Sequence, residues 1–350
     1  MLGEQHGVRE RGIPVNRVPS LGNGVAVPIP DADFPALLET LRADQLPDHG
    51  SEFFVDWMGV RTRIPMLTWA PAELAGTTDT ALPIPDDGYR SEDFEYVALA
   101  RAAQGITAHP IRTVEIGAGW APWAVAALVH ARRQEIGGIA IAVEADPRRC
   151  EWACMHAQDN GIAATMVSGK PRQLAGRLSK AVQPLRPDQQ HLVIVQAAAW
   201  HESGTVGFPE TPIDDMGSAV WTLPGTDVDY RGAHLRHKDI PAIAVRELLE
   251  AIRSVGDDDA PVDLLHVDVQ GVEFELLQHT AGDVQDHTRL MAVGTHNRWS
   301  EGQLQYFFLE RGWGLLLDKP CKANFTMTHP TLSGFTEQDG MQLYENPFVL

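Results

Sequence analysis

Four polar side chains lie at the ends of apolar runs that have the length and composition of β-strands. Glu115 and Glu144 belong to two consecutive runs, and Asp268 and His296 end two later ones. In an open α/β sheet, ligands bind outside the carboxyl ends of the strands. We therefore expect these side chains to cluster at one edge of a sheet. Together they could bind hydroxyl or amino groups and move a proton.

A glycine turn separates the first of these runs from a predicted helix. The stretch is Thr113-Val-Glu-Ile-Gly-Ala-Gly-Trp-Ala-Pro-Trp123. Gly117 and Gly119 allow a sharp turn and a close approach of the backbone to a ligand. Glu115 argues against a phosphate cradle, because a carboxylate repels pyrophosphate and no Gly-Lys-Ser/Thr follows. We expect a ligand that carries an amine or hydroxyls, most simply S-adenosylmethionine.

The second run supports a nucleoside-type ligand. Glu144 lies 27 residues after Gly117, where such sheets place a carboxylate that accepts hydrogen bonds from ribose hydroxyls. A nicotinamide dinucleotide enzyme would share this feature, but Pro122 stands where its third glycine belongs. The residues expected to contact the cofactor are Glu115, Gly117, Ala118, Gly119, Trp120, Glu144, Ala145 and Ala197.

Asp268 and His296 are the candidate catalytic residues. Methyl transfer is an in-line displacement that needs alignment of the reactants and a base for the acceptor proton. His296 is the leading base, and Asp268 could bind cofactor, substrate or a metal. Asp268, Glu273 and His296 could also supply ligands to magnesium. The alternatives are a capping Asp268, a satisfied polar His296 and a Glu273 that caps a helix.

Composition limits the partners that we expect. The chain has 350 residues and a net charge of -19, which makes nucleic acid and an anionic membrane unexpected partners. The cysteines, Cys150, Cys154 and Cys321, give no even disulfide framework and no metal-type spacing. The amino terminus lacks the pattern of a secretory signal, so we expect a cytoplasmic protein.

The pattern along the chain predicts an α/β protein with two additions. Residues 1–90 are expected to form an amino-terminal arm and a small accessory region, with a helix over 31–42 and a hairpin around Met58-Gly59. The arm could serve self-association into a homo-oligomer. Residues 91–350 form the main domain, with a substrate-covering lid over about 201–239 and a helix over 242–252.

Two motifs resemble those of the FkbM family of S-adenosylmethionine-dependent methyltransferases. They are Val114-Glu-Ile-Gly-Ala-Gly-Trp-Ala-Pro-Trp123 and Asp263-Leu-Leu-His-Val-Asp-Val-Gln-Gly-Val-Glu273. The second is similar to that family's Asp-Leu-Leu-Lys-Ile-Asp-Val-Glu-Gly-x-Glu signature. Together with supporting stretches, the resemblance covers roughly residues 90 to 320. His266 replaces the usual basic residue, Gln270 replaces a Glu, and Ala121 stands where a glycine is frequent.

The resemblance implies a Rossmann-like class I methyltransferase sheet with helices on both faces. It also implies methyl transfer to a hydroxyl of a sugar, polyketide or related natural product. Two other functions stay open: an NAD(P)-dependent oxidoreductase, and a cofactor-binding regulator without catalytic activity.

Overall fold

The computed structural model describes residues 27–86, 88–90, 93–106, 109–220, 234–256, 260–325 and 334–349. The predicted arm over residues 1–26 lies outside these ranges. Three short 3-10 helices in the described part are Asp31–Asp33, Ile64–Met66 and Ala72–Leu74. The α-helices are α1 (Phe34–Glu39), α2 (Asp93–Ala103), α3 (Pro122–Arg133), α4 (Pro147–Asp159), α5 (Pro171–Val182), α6 (Val245–Arg253), α7 (Glu273–His287) and α8 (Arg298–Leu309).

The strands occur both before and within the main domain. They are β1 (Phe53–Val55), β2 (Arg61–Arg63), β3 (Thr77–Thr78), β4 (Ile111–Ile116), β5 (Gly138–Glu144), β6 (Ala163–Val167), β7 (Gln190–Gln196), β8 (Ala198–Trp200), β9 (Gly204–Pro209), β10 (His237–Ala244), β11 (Val262–Val267), β12 (Thr288–Thr295), β13 (Gly314–Lys319), β14 (Lys322–Ala323), β15 (Thr336–Gln338) and β16 (Gly340–Glu345).

The main sheet has the order β13-β16-β12-β11-β4-β5-β7-β6 in the described ranges. The six strands from β12 to β6 are parallel, and β16 runs antiparallel to both β12 and β13. Parallel strands buried on both faces carry near-continuous apolar runs, and every residue of β4, β5 and β11 is buried. Because these strands are parallel, the carboxyl ends of β4, β5, β7, β11 and β12 meet at one edge of the sheet.

Helices cover both faces of this sheet, which is the predicted class I methyltransferase-like fold. One face packs against α1, α2, α3 and α4, and the alternate residues of the same strands pack against α5, α6, α7 and α8. Leu264 faces the first group and Leu265 the second, as the two-residue period of a strand requires.

The region before residue 91 packs on the main domain. The predicted helix forms as α1, and the hairpin forms as β1 and β2 with Phe53 opposite Arg63. Phe34, Leu38 and Trp57 belong to the same hydrophobic cluster as Leu99 and Trp123. The described part of the accessory region thus completes one face of the main sheet.

The lid predicted over about 201–239 is partly wrong. Residues Gly204–Pro209 and His237–Ala244 are paired strands, and β10 also pairs with β8 in a small second sheet. The helix predicted from 242 begins at Val245, because residues 242–244 still belong to β10. Backbone pairing stabilises these strands despite their Gly and Pro. Residues 221–233 of the predicted lid lie outside the described ranges.

Each helix of the described residues is too short or too polar to cross a lipid bilayer.

Candidate functional site

A cavity of about 740 Å³ opens at the carboxyl ends of the parallel strands. The residue that follows each of β4, β5, β7, β11 and β12 lines it. These residues are Gly117, Ala145, Ala197, Asp268 and His296. The remaining predicted cofactor residues line the same cavity: Glu115, Ala118, Gly119, Trp120 and Glu144.

The glycine turn has the backbone geometry that its sequence predicts. Gly117 and Gly119 have φ angles of +76° and +55°, in the left-handed region that favours glycine. A Cβ on Gly117 would lie 1.7 Å from the carbonyl oxygen of Asp268. Ala121, just before α3, has a φ of 58°. This left-handed conformation is energetically unfavourable for a residue with a Cβ. The turn brings the start of α3 to the cavity.

Glu144 ties this turn to the next element. Its buried carboxylate accepts hydrogen bonds from the amides of Gly119 at 2.8 Å and Asp146 at 2.7 Å. Burial raises the pKa of Glu144, and the charge of Arg149 opposes that rise. A carboxylate has about four lone-pair sites, so each oxygen can accept a further hydrogen bond from a ligand.

Glu115 is directed to the start of α3. Its Oε2 accepts a hydrogen bond from the amide of Ala124 at 2.7 Å. Burial raises the pKa of Glu115 to about 7, despite the opposing charge of His266. This carboxylate satisfies one of the free amides of a helix N-terminus, and its contact with a cofactor stays a prediction.

The two candidate catalytic residues meet at the other end of the cavity, with Glu273 behind them. Nδ1 of His296 lies 2.8 Å from Oε1 of Glu273, and Nε2 lies 3.3 Å from Oδ1 of Asp268. Asp339, which the sequence reasoning did not single out, has a carboxylate oxygen 3.8 Å from Nε2. The structure thus brings together the three residues predicted as metal ligands, with one ligand atom of each within 4.8 Å of the others.

This arrangement favours the imidazolium form of His296. Burial alone would lower the pKa of His296, but Glu273 and Asp268 outweigh it and raise that pKa to about 10. Burial also raises the pKa of Asp268, and His296 and His266 oppose that rise. At neutral pH the imidazole carries a proton on each nitrogen and can donate to both carboxylates.

The turn after β11 orients the two carboxylates. Gln270 and Gly271 have positive φ angles, 60° and 104°. The side-chain amide of Gln270 donates to Oδ1 of Asp268 at 2.8 Å, and the backbone amide of Gly271 donates to Oε1 of Glu273 at 2.8 Å. The residues from Asp268 to Glu273 therefore form one loop that directs two acids at His296.

A second buried pair lines the cavity and was not predicted. Nε2 of His266 lies 2.8 Å from Oε1 of Glu95 in α2. Burial alone would lower the pKa of His266, but Glu95, Glu115 and Asp268 together raise it. The only sequence signal was the departure at His266 from the FkbM signature, since nothing in the spacing relates Glu95 to a strand about 170 residues later.

Residues 210–220, here the covering segment, lie over the glycine turn. Met216 of this segment contacts the turn, with its Cε 3.0 Å from where a Cβ on Gly119 would lie. Arg149 is buried in α4 and donates to the carbonyls of Ile213, at 3.2 Å, and Asp215. The covering segment therefore closes the cofactor end of the cavity as a lid would.

The histidines of the predicted lid and the three cysteines do not belong to the cavity lining. His201 packs against Trp200 and His279, and His234 and His237 are exposed. Cys150 and Cys321 are buried free thiols, and Cys154 is a partly buried free thiol.

The chain is similar in sequence to a curated protein. It is 23% identical over 295 residues to a "Putative methyltransferase" of Jannaschia sp. (strain CCS1), covering 83% of this chain and 91% of that protein. No family model matches the chain, so membership of the FkbM family stays a prediction.

Several solved structures align with most of the chain. The human methyltransferase 10 domain containing protein aligns over 90% of this chain and 95% of its own, with 10% identity and a TM-score of 0.37. The N-terminal domain of human METTL16 in complex with SAH covers 72% and 68%, with 10% identity and a TM-score of 0.34. A "putative RNA methyltransferase" of Pyrococcus horikoshii covers 74% and 85%, with 10% identity and a TM-score of 0.33.

The exclusion of nucleic acid from the expected partners is wrong. It rested on a net charge of -19, whereas the aligned structures include one described as an RNA methyltransferase. A net charge is a sum over the whole chain and does not describe the field at one surface.

Proposed function

We propose that this methyltransferase takes its methyl group from S-adenosylmethionine and delivers it to a hydroxyl of a small molecule. The observation that carries the proposal is the single cavity that joins the glycine turn and Glu144 to the Asp268 and His296 cluster. One end offers the groups that a nucleoside cofactor needs, and the other offers proton acceptors.

The cofactor end suits the polar groups of S-adenosylmethionine. Glu144 can accept hydrogen bonds from ribose hydroxyls at the end of β5. Because Gly117 and Gly119 lack a Cβ, the cofactor can closely approach the backbone of the glycine turn. Trp120, Ala145 and Ala197 provide apolar surface.

The transfer needs a group that receives the acceptor proton. The hydroxyl oxygen attacks the methyl carbon, the carbon–sulfur bond breaks, and the sulfur leaves as a neutral thioether. His296 is the base that the sequence predicts, but its pKa of about 10 keeps it protonated at neutral pH. We therefore assign proton acceptance to Asp268, which lines the cavity and has a side chain that is 32% exposed, with Nε2 of His296 at 3.3 Å from its carboxylate.

A divalent cation remains part of the proposal, because the donor set suits one. A carboxylate suits magnesium, and an imidazole suits zinc and other transition-metal ions. The predicted ligands are Asp268, Glu273 and His296. A cation would bind Nε2 of His296 only after this nitrogen lost its proton, and the bound ion would lower the pKa of the acceptor hydroxyl. Full activity after exhaustive chelation would dismiss the metal.

The polar lining of the cavity supports the proposed acceptor class. Carboxylates and imidazoles there can bind the hydroxyls of a sugar-like or polyketide acceptor. The polar residues of the cavity lining include Asp86, Asp93, Glu95, His266, Lys319, Glu337 and Asp339.

The test is transfer of radiolabel from the methyl group of S-adenosylmethionine into extracted metabolites. We expect label in an ether-linked methyl that resists mild base. The Asp268→Asn variant should lose at least about tenfold in kcat, since positioned acid–base groups contribute that much or more. Label found in RNA or protein but not in small molecules would contradict the acceptor class. Full activity of Asp268→Asn would contradict the assignment of the base.

The alternatives predict different results. An oxidoreductase would bind a nicotinamide dinucleotide and show no methyl transfer. A regulator would bind S-adenosylmethionine with Asp268 and His296 both dispensable.

A further inference from the structure

We propose that Glu273 is a positioning residue that fixes the orientation of His296, so that Nε2 of the imidazole faces Asp268 and the cavity. The proposal rests on the proposed function for its catalytic meaning, but the orientation itself can be tested without methyl transfer. It gives Glu273 a role distinct from that of a metal ligand or a simple helix cap.

The first argument is the geometry of the imidazole. Its two nitrogens lie on opposite sides of the ring, and each faces a different carboxylate, Glu273 at 2.8 Å and Asp268 at 3.3 Å. A bond at Nδ1 fixes how the ring is turned and which nitrogen is left for the reaction. Glu273 makes the shorter of these contacts.

The second argument is the difference in burial between the two acids. The Glu273 side chain is 0% exposed, whereas that of Asp268 is 32% exposed. Glu273 therefore lies behind the ring, where a substrate does not reach it, and Asp268 lies on the side open to the cavity. A buried carboxylate behind a histidine is how proteins commonly orient a reactive imidazole.

The third argument is that the position of Glu273 is energetically unfavourable for one of its own carboxylate oxygens. Its Oε1 also accepts from the amide of Gly271 at 2.8 Å, in a turn where Gln270 adopts a positive φ. Its Oε2 is buried without a hydrogen-bond partner among the described residues. A buried carboxylate oxygen without a partner destabilises the fold, and helix capping alone would be met more cheaply by an exposed Ser or Asp.

The test compares Glu273→Gln and Glu273→Ala with Glu275→Ala in the full chain. Glu275 lies in the same first turn of α7, so its variant controls for the loss of a charge near the helix N-terminus. Imidazole nitrogen and proton NMR signals of His296, assigned with a His296→Gln variant, report the ring directly at one fixed pH. Steady-state kinetics then separate kcat from the KM for S-adenosylmethionine.

We expect the Nδ1 proton signal of His296 to be sharp and strongly downfield in the unmodified protein and in Glu275→Ala. It should move upfield in Glu273→Gln, whose amide oxygen is a weaker acceptor, and be lost to exchange in Glu273→Ala. The value of kcat should fall about 10- to 100-fold in Glu273→Ala and less in Glu273→Gln, with the KM for the cofactor nearly unchanged.

If Glu273→Ala does not fold, the near-isosteric variant Glu273→Gln still tests the positioning role. Glu273→Gln with an unmoved imidazole signal and the kcat of Glu275→Ala would overturn the proposal. A shifted imidazole signal in a protein without methyl transfer would instead leave the positioning role intact and refute the proposed function.

Discussion

Glu115 shows how one buried carboxylate can support the fold and still line the site. It accepts from the amide of Ala124 at the start of α3, and its side chain also borders the cavity. An acid at this strand end needs a partner, because an unpartnered buried charge is energetically costly. The sequence could not show that this partner is a helix amide, since that depends on how the turn places α3.

Glu115→Gln should change how stability depends on pH. Because the pKa of Glu115 rises from an ordinary 4.5 to about 7 on folding, the folded state holds this proton more tightly than the unfolded chain. The contribution to stability is complete below pH 4.5 and is lost as pH rises to 7. Between pH 5 and pH 8, the unfolding free energy of the unmodified chain should therefore fall by an amount, about 3 kcal/mol at most, that Glu115→Gln does not lose. Denaturant unfolding at the two pH values measures this difference.

Glu151→Gln is the matched control, because that carboxylate is exposed on α4. A pH dependence of Glu115→Gln equal to that of Glu151→Gln and of the unmodified chain would show that Glu115 ionises normally in the folded state.

The glycine turn is the element whose prediction from sequence succeeded in most detail. Its strand, positive-φ glycines and following helix all form, since apolar strands and glycine punctuation are local signals. The strands β9 and β10 were missed, because pairing between them stabilises residues whose own pattern is weak. The pairing of Glu95 with His266 was missed for the same reason: only the tertiary fold brings them together.

Gly117→Ala and Gly119→Ala should differ in their effect on stability. A Cβ at Gly117 would meet the backbone of Asp268 at 1.7 Å, whereas at Gly119 the nearest atom is the flexible end of Met216 at 3.0 Å. Both variants carry the strain of a positive φ, about 1 to 2 kcal/mol. We expect Gly117→Ala to lose more than about 4 kcal/mol of unfolding free energy, and Gly119→Ala only about 1 to 2.

Chemical denaturation of both variants measures this difference, and neither requires activity. Equal losses in the two variants would contradict the close approach of Asp268 to the turn after β4.

At the scale of the whole molecule, the region before residue 91 and the main sheet share one core. Phe34, Leu38 and Trp57 pack in the same cluster as residues of α2 and α3. Composition predicted an accessory region, but it could not show which face of the sheet that region would cover. The packing implies that the described part of the region and the main domain unfold together.

Leu38→Ala should therefore destabilise the whole protein. Leu38 is fully buried, and truncating such a residue costs about 2 to 5 kcal/mol. We expect one cooperative transition at a lower denaturant midpoint, with coincident far-UV and near-UV circular dichroism. Leu309→Ala is the control, because Leu309 is 42% exposed. A separate early transition in Leu38→Ala would mean that the region before residue 91 unfolds on its own.

The measurement that tests the account most directly is calorimetric titration of the full chain with S-adenosylmethionine. We expect one binding site, and about 10- to 100-fold weaker binding by Glu144→Gln, because a hydrogen bond to a charged group contributes about 1.5 to 3 kcal/mol. The glutamine has one acceptor oxygen, so it can accept from the amide of Gly119 but then no longer from that of Asp146. Absence of binding by the unmodified chain, or equal binding by Glu144→Gln, would contradict the cofactor site described at the carboxyl ends of the strands.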